Sequence, residues 1–299
     1  MEEEVSAWDG ERTFYTTLPG ALAEDVRLMR ERGLLGAESN GAVPRDEFNK
    51  VVAVESGLNA VAALKRDFPG LNVIHSRLEA LVGGAADPTT FPNRRSRRAV
   101  VARFVNLDFN SPLFLDLAED EFVHPQIEAV RKIAALQRAE HGSEPWGLFL
   151  TLQGEIRWSP DCQAQILAYL KENAEESEGF RTAIESFFDD DTRALIEHGL
   201  QTTRLEDLPR DIQQRIVCAV VPKRVAHVAS VSGWRIETNM NWHYGGTQRT
   251  APMCTWSFEF VRDQRWDRNP HAVYLDSVAN ILAGAKQIDD SGILGPALA

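Results

Sequence analysis

Cysteine is scarce in this sequence, with three residues among 299. Cys162, Cys218 and Cys254 lie far apart and form no Cys-x-x-Cys pair, which excludes a zinc ribbon and a disulfide framework. His-x-x-x-His is also absent, so we expect no metal cofactor. This cysteine usage predicts a reducing, cytoplasmic compartment.

Long apolar runs are missing as well. The longest, near residues 216–221, is far shorter than the ~20 residues that a membrane-spanning helix needs. The first five residues include three glutamates and no apolar stretch, so we expect no secretory signal. No membrane partner is therefore expected.

Basic residues are outnumbered: 32 Lys and Arg face 44 Asp and Glu, for a net charge of −12. Such a chain repels a phosphate backbone over most of its surface, so any nucleic-acid contact needs a local basic patch. Arg94, Arg95, Arg97 and Arg98 supply the candidate patch. They form either a solvated loop or a clamp for a phosphate or an acidic partner.

Three common catalytic motifs are absent. The chain has no GxSxG elbow and no GxxxxGK[ST] loop, which argues against a hydrolase of the first type and a nucleotide-phosphate site of the second. GxGxxG follows none of the candidate strands, which places a dinucleotide oxidoreductase third among the functions considered.

What is present is an alternation of short apolar runs and helical periodicity. Strands are expected at residues 12–18, 50–54, 71–74, 99–109 and 146–152, and helices from residue 21 and at 58–67, 78–82 and 125–139. This alternation predicts an α/β fold with a doubly wound, mainly parallel sheet covered on both faces.

The rhythm changes after Gly154. Helices are expected at 162–173, 179–188, 192–199 and 211–218, then a hairpin of 233–243 and 252–262, and a last helix near 273–286. We therefore divide the chain into a Rossmann-like core (1–158), a helical insertion (159–232) and a C-terminal part that completes the core (233–299). The insertion is expected to cover the carboxyl edge of the sheet or to form a protein-protein surface.

The order of elements resembles a class I S-adenosylmethionine-dependent methyltransferase, a Rossmann-like fold of about seven strands whose seventh strand is antiparallel. The best match is Val52-Ala53-Val54-Glu55, with an acidic residue at the end of the second strand. The segment from Asp108 to Pro112 and the pair Pro252-Met253 are similar to phage-associated or three-cysteine-motif partner-type methyltransferase-like proteins.

The resemblance implies a set of site residues. Glu55 would accept hydrogen bonds from the ribose, Leu18, Pro19 and Gly20 would hold the methionine half of the cofactor, and Ser76 would lie near the adenine. Asp108 and Asn110 would orient the nucleophile, although Asn110 could instead cap the next helix. Trp242 is either core or a platform for a substrate base.

Two functions follow from this resemblance. The first is a methyltransferase that uses S-adenosylmethionine and acts on a substrate whose identity stays open, with nucleic acid or a partner protein as candidates. The second is an inactive methyltransferase-like interaction protein, because the first loop has one glycine where the family has two or three. Assembly into a homo-oligomer is left open.

Overall fold

The computed structural model describes residues 13–20, 22–86, 94–118, 121–123, 125–198, 204–244, 252–278, 285–288 and 294–297. Their contacts divide the chain into two compact units. The first comprises residues 1–108 and 135–142, and the second comprises residues 109–134 and 143–299.

Parallel strands form the centre of the first unit. Their order is β3-β2-β1-β4, and each neighbouring pair is parallel. Residues 51–54 are all buried, as expected for a strand that is covered on both faces. The strands are β1 (Thr13–Thr17), β2 (Val51–Glu55), β3 (Asn72–His75) and the part of β4 (Ala102–Ala118) up to Asp108.

Amphipathic helices cover this sheet. Val26 and Met29 of the first helix, and Val61 and Leu64 of the second, pack in one core with residues of β1 and β2. The helices are α1 (Glu24–Glu31), α2 (Leu58–Asp67), α3 (Leu78–Ala86), α4 (Arg94–Val100) and the end of α5 (Pro125–His141). A short 3-10 segment, Arg45–Glu47, precedes β2.

Two expectations for the first unit are wrong. The first helix, expected from residue 21, begins only at Glu24, and Leu22 before it is 68% exposed. The arginine-rich segment is the helix α4 rather than a loop, in keeping with the good helix propensity of arginine.

The second unit combines a mixed sheet with a series of helices. Its strands are the rest of β4, β5 (Glu121–Val123), β6 (Trp146–Trp158), β7 (Trp234–Tyr244), β8 (Met253–Arg262), β9 (Ala285–Ile288) and β10 (Leu294–Ala297). Its helices are the start of α5, α6 (Pro160–Glu176), α7 (Glu178–Phe187), α8 (Asp190–His198), α9 (Arg210–Val231) and α10 (Pro270–Val278), with a 3-10 segment at Leu205–Asp207.

The predicted C-terminal hairpin is confirmed. Strand β8 lies between β6 and β7 and is antiparallel to both. The ring of Trp146 stacks on Phe260 with centroids 4.3 Å apart, and the indole N–H of Trp234 donates to the carbonyl of Ala134 at 2.9 Å. The residues of the loop expected at 244–247 lie outside the described residues after Tyr244. The chain is therefore α/β, with parallel strands first and antiparallel strands toward the C terminus.

Several boundaries in the second unit differ from the sequence prediction. Strand β6, expected at 146–152, continues to Trp158. Strand β4 does not end near Asp108 but continues through Pro112 to Ala118, because residues 116–118 pair with β5. The helix expected at 273–286 ends at Val278, and residues 285–288 instead pair with β7 as a parallel strand. Helix α9 extends to Val231, well past the expected end at 218, because its apolar residues are buried nearly all round.

No helix in the described part of the chain is long and apolar enough to cross a membrane.

Gly70, in the turn before β3, provides a test of the first unit. Its φ is +83°, and an added Cβ would lie 2.7 Å from the carbonyl oxygen of Val43. Gly33 has a similar φ of +71° but open space around the same position. We expect Gly33→Ala to lower the free energy of unfolding by about 1–2 kcal/mol through its φ alone. Gly70→Ala should lose a further ~1–3 kcal/mol through the clash, as measured by urea denaturation. Equal losses in the two variants would contradict this account.

Candidate functional site

Polar residues gather at the carboxyl ends of the strands in the first unit. Thr17 ends β1, opposite Ala53 of β2 and Asn106 of β4. Glu55 ends β2, opposite His75. Ligands of open α/β sheets bind at this edge, so it is the candidate site.

The backbone conformation of the turn after β1 explains its single glycine. Gly20 has a φ of +58°, and nothing lies within 4 Å of an added Cβ. Leu18 N donates to Asn106 O at 3.1 Å, and Ala23 N donates to Pro19 O at 3.1 Å, which ties both ends of the turn. Ala23 is itself left-handed, with φ 47°, directly before α1. Gly20 thus serves the turn, and Ala21 lies outside the described residues.

The Asp25 carboxylate binds residues of two strands. Its Oδ2 accepts from the hydroxyl of Thr17 at 2.5 Å, from the hydroxyl of Tyr15 at 2.9 Å and from the amide of Asn106 at 3.3 Å. Its Oδ1 accepts from the backbone N–H of Val26 at 2.8 Å. Burial and the negative charge of Asp25 raise the pKa of Tyr15 well above its usual range. We name these residues the Asp25 cluster: Tyr15, Thr17, Asp25 and Asn106.

Sequence reasoning missed the Asp25 cluster. Asp25 lies in the first turn of a helix, where acidic residues are common because they favour the positive end of the helix dipole. That position alone gives no sign that the side chain reaches back to β1. The available signal in the sequence was the predicted start of a helix directly after a tight turn.

Asp108 follows the Asp25 cluster on β4. Its side chain reaches solvent, yet the surrounding protein removes part of its hydration, and this loss raises its pKa. The negative charge of Asp25 raises the pKa further. Asn110, its proposed partner, lies within β4 and so does not cap a helix; its side chain is outside the described part of the molecule.

Glu55 is half-buried and partly engaged. Its Oε1 accepts from the backbone N–H of Gly57 at 2.7 Å. An added Cβ at Gly57 would lie 3.2 Å from that oxygen, so the absence of a side chain at Gly57 makes room for the Glu55 carboxylate. Leu58 comes next and is 71% exposed. The edge therefore carries a carboxylate beside an uncovered apolar side chain.

Ser76 is committed to the local backbone. Its hydroxyl donates to the carbonyl of Arg77 at 2.9 Å, and its N–H donates to the carbonyl of Glu55 at 3.0 Å. His75 is also held, with Nε2 3.1 Å from the carbonyl oxygen of Ser56. The structure thus brings Ser76 next to Glu55 through the backbone.

The remaining site residues from the sequence are only partly described. Arg97 pairs with Glu140 at 3.1 Å, so one of the four guanidinium groups already has a carboxylate partner. The side chains of Arg94, Arg95 and Arg98 lie outside the description. So does the side chain of Trp242, whose backbone pairs with Thr255 in the second unit.

Across the residues that the structure describes, no group of three His, Cys, Asp or Glu side chains is arranged to hold a metal ion.

Comparison with known proteins yields no relative: no family model, no curated protein and no solved structure matches the chain. The methyltransferase resemblance therefore depends on the residues and topology described above.

The interaction between the two carboxylates can be measured directly. In Asp25→Asn we expect the pKa of Asp108 to fall toward the usual value of about 3.9 without reaching it, because the larger cause, lost hydration, remains. Carbon-13 NMR titration of the side-chain carboxyl groups measures this shift. Glu24→Gln, which removes a neighbouring exposed charge, is the control and should leave Asp108 unchanged. An Asp108 pKa that is the same in Asp25→Asn and in the parent would show that the two carboxylates do not interact.

Proposed function

We propose that the first unit binds S-adenosylmethionine and that the protein is a methyltransferase. The observation that carries this proposal is Glu55 at the end of β2, with one carboxylate oxygen turned to Gly57 and an exposed Leu58 beside it. A carboxylate suits two adjacent ribose hydroxyls because it offers acceptor oxygens and no donor.

The order of strands supports the same reading. In the first unit the parallel order is β3-β2-β1-β4, and in the second unit antiparallel β8 separates β6 from β7. The resemblance implies a late antiparallel strand of this kind. Fold alone carries no activity, so the argument depends on the residues at the strand ends.

The residues at this edge fit the cofactor in three respects. Glu55 would hold the ribose, Leu58 would offer apolar surface to the adenine, and the open turn of Leu18, Pro19 and Gly20 would face the methionine half. S-adenosylmethionine, when bound, supplies an activated methyl group on a cationic sulfonium. Asp25 and Asp108 give the edge a negative charge that favours a cation.

The residues near the reacting end have separate tasks. The Asp25 cluster joins the end of β1 to β4 at Asn106, two residues before Asp108. Asp108, with its raised pKa, accepts a hydrogen bond or a proton from the group to be methylated. Methyl transfer needs little further acid-base machinery, because alignment and exclusion of water supply most of the rate.

We also propose candidates for the substrate and a cellular compartment. The substrate carries a nucleophile; nucleic acid bound through the α4 arginines and a partner protein are the candidates. The cytoplasm is the proposed compartment: all three cysteines are buried and lie outside any disulfide, and the thiol of Cys218 donates to Cys254 Sγ at 3.4 Å. A non-catalytic interaction protein is the second candidate, and the single-glycine turn favours it.

Isothermal titration with S-adenosylmethionine and S-adenosylhomocysteine tests the proposal. We expect both to bind the parent. Glu55→Ala should weaken binding by about 1–3 kcal/mol, because the ribose hydroxyls lose a charged acceptor. Glu31→Ala removes an exposed glutamate at the end of α1 and should leave the affinity unchanged.

Two results would count against this assignment. If the folded parent binds neither compound, the interaction protein becomes the better reading. If the parent binds and Glu55→Ala binds equally well, Glu55 does not belong to the site.

A further inference from the structure

The second unit contains a cavity of about 600 Å³ at the end of β6. Strand β6 pairs with β8 as far as Gln153, which lies opposite Met253. Residues 155–158 of β6 lie beyond this pairing and line the cavity. Pockets for small molecules span roughly 300–1,000 Å³, so this one is large enough for an organic ligand. Its lining residues are Glu155, Ile156, Arg157, Trp158, Ser159, Glu206, Arg210 and Gln213.

Two buried glutamines hold the wall of this cavity. The side chain of Gln213 accepts from the N–H of Ile156 at 3.0 Å and donates to the carbonyls of Glu206 and Leu208 at 2.9 and 2.8 Å. Gln163 accepts from the N–H of Leu205 at 2.7 Å and donates to Glu206 Oε2 and, at 2.9 Å, to the carbonyl of Trp158. The 3-10 segment is thereby fixed to the end of β6, and the cavity is preformed.

Two arginines at the rim approach the same carboxylate. Arg157 and Arg210, 62% and 65% exposed, both approach Glu155, at 3.1 and 3.7 Å. Glu206 is engaged by Arg204 at 2.8 Å as well as by Gln163. The lining thus carries two guanidinium groups and two carboxylates, in a protein whose overall charge is −12.

Arg157 and Arg210 share the single carboxylate of Glu155. The 3.7 Å separation between Arg210 and Glu155 exceeds hydrogen-bonding distance, so this guanidinium retains donors for another acceptor. The planar donor fork of arginine matches phosphate and carboxylate oxygens in pairs.

We propose that this cavity binds a small organic anion, with its phosphate or carboxylate group held between Arg157 and Arg210. The body of the ligand occupies the cavity along Gln213 and Trp158. The Glu206 carboxylate lies on the same lining and accepts from a hydroxyl or amino group of the ligand. This site is separate from the proposed cofactor site and uses none of its residues.

Titration calorimetry of the full chain tests this proposal. The probes are glycerol 3-phosphate and succinate, one for each oxyanion, with sodium chloride at equal ionic strength as the reference. At least one probe should bind the parent more tightly than chloride does. The double variant Arg157→Gln/Arg210→Gln should bind it at least tenfold more weakly.

Arg181→Gln is the matched control, because Arg181 is 51% exposed and lies 3.9 Å from Glu178 in the same unit. It should bind the probe as the parent does. Both rim arginines are exposed, so near-ultraviolet circular dichroism is expected to show a folded double variant.

Each result of the titration either supports or overturns the anion site. Binding of only one probe supports the site and identifies the oxyanion. Binding of neither probe above the chloride reference, or equal binding by the parent and the double variant, overturns it. Glu55→Ala should leave probe binding unchanged, so failure of this proposal is distinct from failure of the methyltransferase proposal.

Discussion

The carboxylate of Asp25 is the interaction on which the candidate edge of the first unit depends. A single oxygen accepts from Tyr15, Thr17 and Asn106, and so joins the start of α1 to β1 and β4. Hydrogen bonds to an ionised group are stronger than neutral ones, which makes this junction firm. Asp108 lies two residues beyond Asn106 on the same strand, close enough for the charge of Asp25 to raise its pKa.

The candidate sites of the two units suit ligands of opposite charge. Asp25, Asp108 and Glu55 make this edge of the first unit acidic, which suits a cationic ligand. In the second unit Arg157 and Arg210 lie at the cavity rim and share one carboxylate, which leaves donors for an anion. In the first unit, the negative charge of Asp25 contributes to the raised pKa of Asp108.

In the second unit, buried side-chain amides hold neighbouring segments together, as the Asp25 carboxylate does in the first unit. Gln163 and Gln213 are almost fully buried and use both ends of their side chains. An unpaired buried amide would be costly, so these bonds select one position for the 3-10 segment. A shaped cavity follows from this selection, because neither α6 nor α9 can shift without breaking them.

Local pattern in the sequence determined a good part of the fold. The limits of α2, the buried run of β2 and the antiparallel hairpin all follow from apolar periodicity and turn residues, which act over a few neighbours. Glu55 could likewise be placed at a strand end from its neighbours alone. Pairing between strands decided the rest: β4 continues past Asp108, where it pairs with β5, and residues 285–288 join β7, because a strand gains its hydrogen bonds from other segments of the chain. The Asp25 cluster and the cavity are of this second kind, since they unite side chains that only the tertiary structure brings within hydrogen-bonding distance.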